Sequence, residues 1–250
     1  VLGGIDLSAG EGLEFEPGQN ALIGKASARV FHVARQDAPG LDVVWSEGSL
    51  RQALLALPGP EKWFVYAVAR LVIQRVPDLV WWLAELRSVL ISGGALRLVV
   101  PDRRFTEDFA RRETEFADVM AAYLAGSRRP QPREVLDCHV RQQPVDLAAA
   151  WHGTQRTQHM FSLEQATRGI RLAQAALAGE YVDVACWVFT PDSFLQLMVD
   201  LARHGLIWFA CERIVPTAEY RRDFCVHLRA ADDRQEIEES WRGVLRGAIA

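Results

Sequence analysis

Residues 63–101 carry the stretch that decides the fold: Trp63-Phe64-Val65-Tyr66-Ala67-Val68, a leucine-spaced segment from Asp78, Gly93-Gly94, and then Leu96-Arg97-Leu98-Val99-Val100-Pro101. The two outer runs are short and almost continuously apolar, the pattern of strands buried on both faces in a parallel sheet. Between them Asp78 is placed to cap a helix that carries Leu79, Leu83, Leu86 and Leu90 on one face and stops at Gly93-Gly94. Strand, helix, strand in that order is a right-handed crossover unit.

Working outward, the same alternation extends towards the first residue. Gly12–Phe15, Val30–Val33 and Val43-Val44-Trp45 are further short strands, the first followed by the turn residues Pro17-Gly18. Downstream, residues 105–180 are helical and polar, broken at Ser127–Pro132, and are expected as an insertion after the fifth strand. Thr190-Pro191-Asp192 opens a helix with Phe194, Leu195, Met198 and Leu201 at helical spacing. Ile207–Cys211 and Phe224–Leu228 are expected as a final antiparallel strand pair, and a charged helix follows Asp232. The expectation is one α/β domain over residues 1–250, with a Rossmann-like, doubly wound, seven-stranded and mostly parallel sheet. Its ligands would lie beyond the carboxyl ends of the strands, at the loops after Phe15, Val33, Trp45 and Val68.

Composition narrows the functions. A net charge of −4 argues against a general nucleic-acid binder. Val1 is not followed by a charged-then-apolar leader and no apolar run is long enough to cross a bilayer, so a cytoplasmic protein without a membrane span is expected. Cys138, Cys186, Cys211 and Cys225 form no CxxC pair, so no metal site is expected and the thiols are expected reduced and mostly buried. His139, His152 and His159 lack metal-ligand spacing and are expected at the surface.

Five segments together resemble a bacterial family of class I S-adenosylmethionine-dependent methyltransferases found near polysaccharide-assembly genes. They are Gly12-Leu13-Glu14-Phe15-Glu16-Pro17-Gly18-Gln19-Asn20, residues 71–78, Leu90-Ile91-Ser92-Gly93-Gly94, Val100-Pro101-Asp102-Arg103-Arg104-Phe105-Thr106, and Asp183–Pro191. The resemblance implies S-adenosylmethionine as cofactor. A glycine-rich turn after the first strand would admit its methionine part, an acid ending the second strand would hold the ribose hydroxyls, and a polar residue after the third would meet the adenine. Here Glu16 stands at the family's turn glycine and Ala34 at its ribose acid, with Asp37 as a substitute if the second strand runs on. The cofactor residues to expect are therefore Glu14, Glu16, Gly18 and Glu47, with Glu14 equally suited to tying down the loop backbone.

The family's two histidines and one acid after the fourth strand become Leu71, Arg75 and Gln74, and its late histidine becomes Ala185. None of these can serve as a general base, so no catalytic residue is assigned. Arg75, Asp102, Arg103 and Arg104 are candidates for a substrate or anion; Asp102 can equally cap the segment that follows, and the run with Arg111 and Arg112 can equally be a solvated helix face. Three functions follow. One is a non-catalytic scaffold or regulatory paralogue that partners an active homologue or a glycan-assembly enzyme. The second is an active methyltransferase acting on a sugar or polysaccharide hydroxyl. The third is a pocket retuned for another small ligand, with Glu16 and Arg75 as polar contacts.

Overall fold

The structure, a computed structural model, describes residues 1–18, 21–55, 57, 63–157 and 161–249. Gln19 and Asn20 of the first turn, Lys62 and His159 lie outside the described residues.

Three short strands, β1 (Gly12–Phe15), β2 (Val30–Ala34) and β3 (Val43–Val44), are followed by a one-turn helix α1 (Leu50–Leu54) and the central strand β4 (Phe64–Arg70). A 3-10 turn at Ile73–Arg75 leads into α2 (Leu79–Val89) and β5 (Leu90–Pro101). The helices α3 (Phe116–Leu124), α4 (Pro132–Arg141), α5 (Leu147–Trp151) and α6 (Leu163–Leu177) come next, then α7 (Pro191–Arg203), β6 (Phe209–Val215), β7 (Asp223–Ala230) and α8 (Arg234–Ile249). The strands form one seven-stranded sheet in the order β3-β2-β1-β4-β5-β7-β6, with β7 antiparallel to both its neighbours and every other pairing parallel. This is the doubly wound, mostly parallel α/β sheet expected from the alternation of apolar runs.

The local reasons are visible in the side chains. The β1 backbone is wholly buried between β2 and β4, and Gly12 is required there because a Cβ would overlap the Tyr66 ring. Asp78 caps α2 by accepting the Trp81 amide at 2.9 Å. Thr190 and Ser193 close a reciprocal cap at the start of α7, with Pro191 in the first turn.

The end of α2 corrects the sequence expectation. Leu90 already belongs to β5, where it pairs with Phe64, and the helix stops at Val89. The chain then makes an excursion before Ala95 resumes pairing against Tyr66, and Gly93, at φ 81°, supplies the left-handed residue inside that bulge. The double glycine therefore bends a strand; it does not end a helix.

A candidate binding site at the carboxyl ends of the parallel strands

A cavity of about 390 Å³ opens beyond the carboxyl ends of β1, β2, β3 and β4. Its walls include Phe15, Ala34, Trp45, Trp81 and Trp82, and its polar lining comprises Glu16, Arg35, Gln36, Ser46, Arg70, Arg75, Tyr181 and Asp183. The volume is within the range of small-molecule sites, and the position, where chains leave β1 in one direction and β4 in the other, is where doubly wound sheets bind ligands.

Two lining residues hold unusual backbone conformations. Glu16 (φ 49°) and Leu71 (φ 58°) are in the left-handed region without being glycine, and both face this cavity. Each such residue costs about 1–3 kcal/mol, and such strain gathers at binding sites. For Glu16 the geometry is held by its own amide, which donates to the Val33 carbonyl at 2.8 Å, and by its carboxylate, which accepts the Arg35 amide at 2.7 Å. The side chain thus lies across the end of β2. Leu71 is fixed by its amide to the Val99 carbonyl at 2.9 Å and by its carbonyl, which accepts from Gln74 Nε2 at 2.8 Å.

The segment after α6 forms the outer wall. The Arg35 guanidinium lies over the Tyr181 ring, 3.1 Å from its centroid, and donates from Nη1 to the Ser46 carbonyl at 3.3 Å. Arg75 grips Asp183 with a two-pronged fork, Nε to Oδ1 at 2.9 Å and Nη2 to Oδ2. Burial works against the Arg75 charge, yet the bonds and field of Asp183, with smaller contributions from Tyr181 and Glu16, hold its pKa above the ordinary value. Burial pushes the Tyr181 phenol up to about 12, the cation of Arg35 opposing it, so this hydroxyl stays protonated near neutrality.

The other expected site residues are placed as follows. Glu14 is 2% exposed and accepts the amides of Leu22 at 2.7 Å and Ile23 at 3.0 Å, behind the cavity wall. Gly18 is in the left-handed region at φ 58° and does not line the cavity. Glu47 is exposed and pairs with Arg129 at 3.3 Å, outside the lining. Since β2 ends at Ala34, Asp37 is also left outside, exposed.

Asp102 is fully buried and accepts the Arg104 amide at 3.0 Å, the Arg104 guanidinium at 2.7 Å and the Thr217 hydroxyl at 2.7 Å. Arg103 donates to the Arg111 carbonyl at 2.6 Å, and Arg111, its side chain 1% exposed, sits between Asp108 and Asp137. Arg112 pairs with Glu115 and Asp118. The arginine run is therefore not part of the cavity: carboxylates and carbonyls bind it, with Arg111 buried and Arg104 and Arg112 about half exposed. Of the four anion candidates only Arg75 lines the cavity.

Several polar residues lining the cavity, among them Arg35, Arg70, Tyr181 and Asp183, were missed by sequence reasoning. Arg35 adjoins Ala34 at the end of β2 and so was within reach of inspection, whereas Tyr181 arrives through tertiary packing alone. The resembling segments also meet each other. The Gln74 carbonyl accepts the Cys186 and Trp187 amides at 2.7 and 3.0 Å, Trp187 Nε1 donates to the Val76 carbonyl at 2.7 Å, and the Arg103 amide donates to the Phe189 carbonyl at 2.7 Å. These bonds pack the segments against one another. All four cysteines are free, with Cys138, Cys186 and Cys211 buried. No group of metal-ligating side chains occurs among the described residues, and no helix there is long and apolar enough to cross a membrane.

No family model matches the chain, and no curated protein does. Among solved structures it is similar to a candidate hemolysin from Lactococcus lactis (11% identity over 98% of this chain and 90% of that one, TM-score 0.43). It is also similar to a candidate S-adenosylmethionine-dependent methyltransferase from Listeria monocytogenes (14% identity, 91% and 94%, TM-score 0.42). A third is an S-adenosylmethionine-dependent methyltransferase from Clostridium acetobutylicum (8% identity, 89% and 84%, TM-score 0.43). At these scores the fold assignment rests on the strand order itself.

Proposed function

We propose that this chain is a ligand-binding protein on the class I methyltransferase architecture that does not transfer methyl groups, and that it serves as a non-catalytic scaffold or regulatory partner of an active homologue or a glycan-assembly enzyme. The observation that carries the reading is the Arg75–Asp183 fork. The acid at the β4 side of the cavity is held by a guanidinium, and the neighbouring Leu71 has nothing to take a proton. Gln74 is turned back onto the Leu71 carbonyl and the Tyr181 phenol stays protonated. Among the described residues no histidine lines the cavity. Apart from Glu16, whose carboxylate is anchored to the Arg35 amide at the end of β2, a hydroxyl acceptor would find no general base there.

S-adenosylmethionine fits this lining in part. The aromatic side chains around Trp45 suit its nucleoside half. Its methionine half carries a sulfonium, an ammonium and a carboxylate, so beside Arg70 and Arg75 only the carboxylate would be favoured, with Asp183 already engaged. No methyl-transfer step is derived through it.

The partner role is supported by α6. Gly169 packs this helix closely on Leu136 and Val140 of α4, while Leu163, Ile170 and Leu177 stand exposed at seven-residue spacing. An apolar stripe of that kind suits a protein partner.

The test is thermal denaturation and calorimetry with S-adenosylmethionine, paired with a methyl-release assay on glycan acceptors. Weak or absent stabilisation and no methyl release are expected. A shift of several degrees together with turnover would overturn the reading and establish the alternative, an active methyltransferase on a sugar or polysaccharide hydroxyl.

A further inference from the structure

We propose that α6 docks on α6 of a second copy of this chain, the two helices antiparallel about a two-fold axis that passes between Thr167 and Ile170. The proposal rests on reading α6 as the docking helix and names what docks there.

The seam comes first. Leu163, Thr167, Ile170, Gln174 and Leu177 follow one another at alternating spacings of four and three, the core repeat of a coiled coil. All five are exposed, Leu163 at 84%, Ile170 at 51% and Leu177 at 77%. The Thr167 hydroxyl donates to the Leu163 carbonyl at 2.8 Å, so its polar atom is used within the helix. The opposite face is already committed. Gly169 packs closely on Leu136 and Val140 of α4, and Leu172, Ala173 and Ala176 lie against the core. The seam is therefore presented on a helix held in place by the fold, and docking has no helix to order first.

Charge selects the occupant. Along one flank of the seam stand Glu164 and Arg171, both exposed, opposite in sign and one heptad apart; neither makes an ion pair among the described residues. Along the other flank stand Ala166 and Ala173, small enough for two backbones to approach closely. In an antiparallel pair like flanks meet. Glu164 of one copy then faces Arg171 of the other, and Arg171 faces Glu164, which is the reciprocity that a two-fold interface between identical chains demands. A parallel pair would set the charged flank against the alanines and form neither ion pair. In the register that joins the charges, Ile170 lies opposite Thr167 and Leu163 opposite Gln174, while Leu177 comes level with the exposed Phe161 at the entry to the other helix. One helix of 15 residues makes a contact about 22 Å long. That is the small end of specific interfaces, so the dimer should dissociate on dilution.

Sedimentation equilibrium of the full chain over a dilution series is expected to show monomer and dimer in exchange. I170E, at the exposed centre of the seam, should weaken association at least about tenfold while melting like the parent. E164R alone and R171E alone each set like charges together twice, and each should weaken association about tenfold. The double variant E164R/R171E reverses both members of each pair and should associate like the parent, as should an equimolar mixture of the two single variants. A chain that stays monomeric up to about 1 mM, an I170E that associates like the parent, or a double variant as weak as either single one would each overturn the proposal. A monomeric chain would leave the stripe to a different protein and the regulatory reading standing, and methyl transfer is read separately by the methyl-release assay.

Discussion

The Glu14 carboxylate accepts the backbone amide of Ile23 at 3.0 Å while its other oxygen accepts that of Leu22 at 2.7 Å, so one buried side chain ties the β1 end to the loop before β2. Charge-assisted bonds of this kind are stronger than neutral ones. Glu14→Gln keeps the shape but opposes one amide with an NH₂ group. We expect a loss of about 1–3 kcal/mol in urea denaturation, with ligand affinity at the cavity unchanged because Glu14 does not line it. A change in affinity without a change in stability would return Glu14 to the ligand.

Gly12 is set against the Tyr66 ring, itself fully buried. Neither β1 nor β4 can move away without breaking pairings on both sides. Gly12→Ala should therefore destabilise by about 1–3 kcal/mol, the cost of overpacking a filled core. Gly12→Ala combined with Tyr66→Leu should recover much of it. If the single substitution is neutral in a melting experiment, the close approach of ring and strand is wrong.

The sheet was legible because apolar runs of strand length stand between turn residues, and β1 matches its expected bounds residue for residue. The boundary at Leu90 was not legible. Its apolar side chain satisfies the helical spacing of α2, and the pairing with Phe64 that claims it for β5 is non-local. The site divides in the same way. That Ala34, Leu71 and Ala185 offer no acceptor could be seen in the letters alone, whereas the carboxylate that Glu16 brings to the end of β2 depends on a φ of 49° and one amide contact. For Arg103 and Arg104 an anion site and a solvated helix face both stayed open, because composition cannot show that the Arg111 carbonyl and Asp102 are already bound to them.

The knot around Asp102 makes a separable prediction. Its carboxylate has no exposure and holds Arg104 from the adjoining turn and Thr217 from beyond β6. Asp102→Ala should cost about 1–3 kcal/mol in chemical denaturation, bounded because Arg104 is half-exposed and can rehydrate. Inorganic phosphate should stabilise neither the parent nor Arg104→Ala. Phosphate-dependent stabilisation lost in Arg104→Ala would restore the anion site there.

His227 gives the fold a pH dependence of known sign. It lies buried in β7, flanked by Arg97 of β5 and Arg213 of β6. Burial first, and then the fields of these two arginines, lower its pKa to about 4. In the unfolded chain the same group titrates near 6.5. Above that pH both states are neutral and His227 contributes no slope. As the pH falls from about 6.5 towards 4, the unfolded state takes up a proton that the folded state refuses, so stability is lost on acidification. Between pH 7 and pH 5 this group alone should account for about 2 kcal/mol. Parallel urea titrations of the parent and His227→Gln isolate it from the carboxylates, which titrate in both. The variant should lose correspondingly less stability over that interval; identical losses in the two would show that His227 is free to protonate in the folded sheet.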